Sequence, residues 1–139
     1  MGLQMALMSD SISLICIHND ETQGEMLFVY NLSGVYTETV DGVIVDSDGE
    51  DTSNNTLCIV PYDVDCTEDY IKPKAWEALD NTSKAKYYTF REGDVIVINN
   101  TPYDCTTLEE IKAKYDDCYT IQAVRNFSKI MRHFELVCR

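Results

Sequence analysis

No lysine or arginine precedes Lys72 in this chain. Residues 1–71 carry 14 acidic side chains and no basic one, a charge of −14, and residues 72–139 carry 11 basic and 10 acidic, a charge of +1, which together give the net −13. Phosphate contact needs clustered cations, so this absence argues against free nucleic-acid binding and against sequence-specific readout. No run approaches the ~18 consecutive apolar residues of a membrane-spanning helix, so membrane insertion by a helix is not expected. Six cysteines (Cys16, Cys58, Cys66, Cys105, Cys118, Cys138) contain no Cys-x-x-Cys pair, and the two histidines, His18 and His133, are isolated from them. Zinc sites need closely spaced ligands, so thiolate metal binding is not expected.

Other signatures are missing too. The opening Met1-Gly2-Leu3-Gln4-Met5-Ala6-Leu7-Met8 lacks a basic leader, so no secretory signal is expected. Ala6 stands where a myristoylation motif needs Ser or Thr. A reducing compartment with reduced, half-buried thiols follows, a disulfide framework being the alternative that an even count allows. There is no phosphate-binding loop, no Gly-x-Gly-x-x-Gly and no nucleophile elbow. His18 and His133 read as structural or surface groups, and carboxylates are too numerous for any pair to signal acid–base chemistry. No enzyme activity and no cofactor are therefore expected. Asp46-Ser47-Asp48-Gly49-Glu50-Asp51 is the best metal candidate, but calcium loops of the helix–loop–helix type want Gly at the sixth position and Glu at the twelfth. Here Gly49 is fourth and Leu57 twelfth, so residues 46–55 read as an exposed acidic hairpin loop without metal.

What the chain does have is β pattern. Ile12–His18 reads as a first strand, and Glu25–Thr39 as a long second one with a bulge or bend at Gly34. Gly42–Val45 and Thr56–Val60 are further strands, the latter stopped by Pro61. Residues 62–73 look irregular, and Lys74–Leu79 form one or two helical turns behind Pro73. The most informative stretch is Tyr88-Thr89-Phe90-Arg91-Glu92-Gly93-Asp94-Val95-Ile96-Val97-Ile98. It reads as strand, Gly-Asp turn and strand, with residues 84–90 expected to pair with 94–99. Thr107 and Glu110 have capping-box spacing and open a helix over Leu108–Tyr115. Tyr119–Val124 and Phe134–Cys138 are the closing strands. The fold class is thus mainly β: a small barrel or sandwich of seven or eight short antiparallel strands with one or two inserted helices, in one domain over 1–139 behind a flexible arm over 1–10.

Nine tyrosines and one tryptophan raise a second question. Tyr62, Tyr70 and Trp76 suit either sheet packing or a protein interface. Arg125 and Arg132, with Lys129, His133 and Arg139, form a basic end that suits an acidic partner or a neighbouring subunit. These five, Tyr62, Tyr70, Trp76, Arg125 and Arg132, are the candidate interface residues.

Four segments in order carry a resemblance: Ser11–Leu14; Leu57–Tyr62 with Tyr70–Trp76; Tyr88–Val97; and Tyr119–Asn126 with His133–Val137. Together they resemble a family of small proteins encoded among the head and tail genes of tailed phages and prophages of Firmicutes. The pattern is also similar to head–tail joining and head-closure proteins, small β-barrels with a Gly-Asp turn before a strand. The resemblance implies a non-enzymatic virion component of the neck, made in the host cytoplasm. It implies a homo-oligomeric ring contacting portal or adaptor and tail proteins, with DNA passing through the lumen. Asn99-Asn100 depart from the pattern where relatives are expected to carry Gly. A tail terminator, a minor capsid protein, and a small acidic binding module or inhibitor are the alternatives.

Overall fold

The computed structural model describes residues 8–40 and 55–139. Eight strands and three short helices lie among them: β1 (Asp10–Asp20), β2 (Gly24–Val40), β3 (Asn55–Pro61), β4 (Asp69–Tyr70), α1 (Pro73–Glu77), α2 (Asn81–Lys84), β5 (Tyr87–Tyr88), β6 (Val95–Ile98), α3 (Leu108–Lys114), β7 (Cys118–Phe127) and β8 (His133–Cys138). Six strands close into a barrel in the order β1-β2-β3-β8-β7-β6, every pairing antiparallel. The mainly β expectation holds, with a third helix added. The strand expected over 42–45 and the acidic loop over 46–54 lie outside the described residues; Asn55 opens β3.

Alternation builds the barrel interior. Phe28, Tyr30 and Leu32 point inward from β2, Cys58 and Val60 from β3, and Phe134, Leu136 and Cys138 from β8. On β2 the inward series then jumps from Leu32 to Val35, a step that would turn Val35 outward in an unbroken strand. Gly34 resolves this. The register passes from Ser11↔Ser33 to Asp10↔Val35, leaving Gly34 unpaired as a bulge with φ +85°.

The run Val95–Ile98 is buried throughout because both of its faces are covered. Ile96 and Ile98 enter the barrel, while Val95 and Val97 join Ile15 and Ile111 in a second cluster to which α3 contributes. The capping box holds: the Thr107 hydroxyl accepts from the Glu110 amide at 3.2 Å and Ile111 is buried one turn inside.

Two expectations need correcting. Residues 84–90 do not pair with β6, whose partners are β1 and β7. Instead β5 pairs in parallel with β4, and the intervening helices lay Trp76 against the barrel. An N-cap at Asp80, accepting from the Ser83 amide at 2.7 Å, starts the unexpected α2. Nor is all of 1–10 an arm. Met8 is buried at 9% exposure, and Asp10 lies in β1, its carboxylate accepting from the Thr37 amide and hydroxyl at 3.0 and 2.9 Å. Residues 1–7 lie outside the described residues.

Candidate interaction surface

The Gly-Asp turn is an internal clamp. Gly93 takes φ +94°, a left-handed value that glycine adopts without a Cβ penalty. Asp94, 3% exposed, is then held inside by three donors. Arg91 gives two parallel hydrogen bonds, Nε to Oδ2 at 2.8 Å and Nη2 to Oδ1 at 2.9 Å, and the Ile17 amide donates to Oδ1 at 3.1 Å. Arg91 also donates to the Ile17 carbonyl at 2.7 Å and pairs with Glu77 at 3.3 Å. Burial works against the Arg91 charge, yet the hydrogen bonds and field of Asp94 outweigh it and push its pKa up.

Trp76 sits under this pair with no exposed surface. The Arg91 guanidinium lies 4.5 Å from its ring centroid and the Lys84 ammonium 5.1 Å. Its indole N–H donates to the Tyr87 carbonyl at 3.0 Å. Lys84 is itself buried, donating to the carbonyls of Glu77 and Leu79 at the end of α1. Thus the Pro73-Lys74-Ala75-Trp76 stretch and the Gly93-Asp94 turn meet and fasten the inserted segment to the barrel. As an interface candidate Trp76 is corrected: its contacts are spent inside. Lys84 had no sequence signal, since a lysine opening the extended stretch expected over 84–90 gives no sign of burial.

Tyr70 is half-buried in an aromatic cluster, with ring centroids 5.8 Å from Tyr88, 5.7 Å from Phe90 and 4.8 Å from Phe134. Burial raises its pKa. Tyr62 lies at the edge of that cluster, 39% exposed and stacked on Phe134 at 5.1 Å. Its hydroxyl donates to the Asn126 side chain and its amide to the Arg132 carbonyl, so it braces the β7–β8 hairpin beside its tip.

That hairpin gathers the remaining candidates. Arg125 and Arg132 are both exposed on it. Beyond its last pair, Phe127↔His133, residues 128–132 form the tip, with Met131 at φ +52°. Phe127, Ile130 and Met131 are 41%, 81% and 45% exposed, and with Tyr62 they make four of the six large exposed apolar side chains among the described residues. Phe127, Ile130 and Met131 fall within five residues of one another, which makes the tip a candidate interaction surface, whereas scattered apolar groups need no explanation. Residues 118–134 hold Arg125, Lys129 and Arg132 and no Asp or Glu. His133 stacks on Phe127 at 4.7 Å with rings 10° from parallel, and its Nε2 lies 3.1 Å from Glu135. The apolar half of this surface escaped sequence reasoning, because Phe127-Ser-Lys-Ile130-Met131 has no strand alternation to show which side chains end outside.

A second surface is polar and uncharged. Ser11, Ser13, Asn31 and Ser33 on β1 and β2 face Asn99, Asn100, Thr101 and Tyr103 across an open groove of about 460 Å³. The Ser13 hydroxyl donates to the Asn100 carbonyl at 2.8 Å, and the Asn99 side chain accepts from the Ser11 amide at 3.0 Å. Asn99 takes φ +56°, so the departure from glycine is accommodated by a residue that tolerates left-handed backbone.

Among the described residues no group of three His, Cys, Asp or Glu side chains is placed to hold a metal ion; the carboxylates of 46–51 lie outside them. No helix among them is long and apolar enough to cross a membrane. No cysteine is bonded to another; Cys16, Cys58 and Cys138 are buried and Cys66, Cys105 and Cys118 half-buried.

Fold and surface together define a small closed β-barrel with a braced, projecting hairpin. The model of a family of unknown function (DUF6751) matches residues 8–139, and the chain belongs to that family. No curated protein and no solved structure matches the chain.

Proposed function

We propose that this protein is a structural assembly subunit of a tailed-phage neck, of head–tail connector or head-closure type, working as a homo-oligomeric ring between portal and tail. It carries out no catalysis in this reading. The observation that supports it best is the β7–β8 tip, where exposed Phe127, Ile130 and Met131 sit beside Lys129 and Arg132 on an otherwise acidic molecule. A ring requires two complementary surfaces on one subunit, and opposite charges supply them. An acidic lumen repels phosphate and lets DNA pass without sticking. The subunit is made in the host cytoplasm and ends in the virion neck. Negative-stain microscopy of the purified chain, alone and mixed with portal rings, tests this. Closed rings, or rings formed on adding portal, are expected; a particle that stays monomeric and ignores portal contradicts it.

The groove beside Asn31 and Asn99 favours a second reading, a small binding module for an uncharged polar ligand or a host protein. A strict monomer that captures such a ligand with measurable affinity would select this reading.

A further inference from the structure

We infer that the β7–β8 tip docks on the acidic segment 63–69 of a second copy of this chain. This rests on the assembly reading and names its contact.

The tip has unspent binding capacity. Arg125, Lys129 and Arg132 form no ion pair among the described residues. Ile130 has 81% of its surface in water. The tip is also held in shape before any partner arrives, by the Phe127–His133 stack and by the Tyr62 amide donating to the Arg132 carbonyl at 3.1 Å. The ordering that opposes binding then falls mainly on the exposed side chains of the tip.

The complement lies on the same molecule. Asp63, Asp65, Glu68 and Asp69 fall in one short segment that contains no cation. Asp63, Asp65 and Asp69 are exposed, and their carboxylates accept no side-chain hydrogen bond or ion pair among the described residues. The backbone of Asp65 is fixed by paired hydrogen bonds with Ser33 at 2.9 and 3.0 Å. Tyr62 joins the start of this segment to the flank of the tip, yet no tip cation reaches a carboxylate of 63–69 within one chain. Both charge sets remain unpaired in the monomer and complementary between copies. Each copy gives one tip and receives one, either by reciprocal exchange in a two-fold pair or by head-to-tail contacts, and the ring reading takes the head-to-tail form.

The test uses the full chain in sedimentation velocity and native mass spectrometry, from about 0.05 to 0.5 M salt. Two variants reverse the charges, one Lys129→Glu with Arg132→Glu, the other Asp63→Lys with Asp65→Lys, and Ile130→Asp removes the apolar contact. Thermal melts of all three verify folding, since every altered side chain is exposed. The wild type is expected to self-associate more weakly as salt rises, and each variant to lose about tenfold or more in self-affinity. An equimolar mixture of the two charge-reversed variants is expected to regain association, since each reversed surface then meets its new opposite. If the wild type associates and the variants associate equally well, the contact lies elsewhere and this inference falls while the assembly reading stands. If the wild type stays monomeric alone and with portal, both fall. Tip-dependent binding to anionic vesicles by a monomeric wild type would likewise overturn the second-copy partner.

Discussion

Asp94 lies where three parts of the chain meet, and its neighbours state what it does. Removing it takes both carboxylate bonds from the Arg91 guanidinium, which keeps only the Ile17 carbonyl and the more exposed Glu77, and takes the acceptor from the Ile17 amide. Asp94→Ala is expected to cost about 3–5 kcal/mol, as for breaking a buried pair on one side. Asp94→Asn keeps an acceptor for Ile17 and is expected to cost roughly half as much. Urea unfolding of the two variants checks the order. The thiols give a second prediction. Burial pushes Cys138 from 9.0 up to about 12, Cys66 up to about 11, and Cys16 and Cys58 well above the usual thiol range. A thiol whose pKa rises on folding contributes fully below the unfolded value near 9.0, and that contribution is lost as pH climbs towards about 12 for Cys138. Alkaline conditions therefore destabilise the barrel over that window. At about pH 8 a thiol reagent is expected to label Cys16, Cys58 and Cys138 no faster than the chain unfolds. Rapid labelling of Cys58 in the folded protein, read by mass spectrometry after quenching, contradicts this. Little of the clamp was legible in advance. Arg91 and Ile17 are far apart in sequence, and a Trp in a Pro-Lys-x-Trp turn reads equally well as packing or as interface.

Among the elements, legibility followed the length of the pattern. Strands β1, β2, β3, β7 and β8 carry β-rich sequence over enough residues to be read, and the Gly34 bulge was visible as a glycine inside a long β run. The β4–β5 pair is two residues long on each side, too short to have a period, and Asp80–Lys84 forms a single turn. The partner of β6 was misread because adjacent segments usually pair. Residues 84–90 instead run over the barrel, where Tyr88, Thr89 and Phe90 are buried. The Gly93 turn carries a prediction at this scale. A Cβ added at Gly93 meets nothing within 4 Å, so Gly93→Ala is opposed by backbone strain alone. The loss is expected to be about 1–2 kcal/mol. Asn99→Gly, at φ +56°, keeps the backbone relaxed but removes the acceptor of the Ser11 amide and is expected to lower the melting temperature slightly, whereas Asn99→Val adds backbone strain to that loss and lowers it further.

Six strands close into a barrel, although among the described residues β2 pairs with β3 only over Tyr36–Val40 and with β1 alone before that. The β7–β8 tip extends beyond the last barrel pair, Phe127↔His133. The charge asymmetry was legible at once as a −14 half and a +1 half. Its placement was not, because the position of the tip beside segment 63–69 comes from the pairing of β3 with β8. Under the proposed function this barrel binds its own copies. Native mass spectrometry of the full chain across a concentration series, with and without portal, addresses that claim most directly. The account predicts discrete higher-order species whose share grows with concentration and falls with salt. A single monomer mass at every concentration, unchanged by portal, would contradict it.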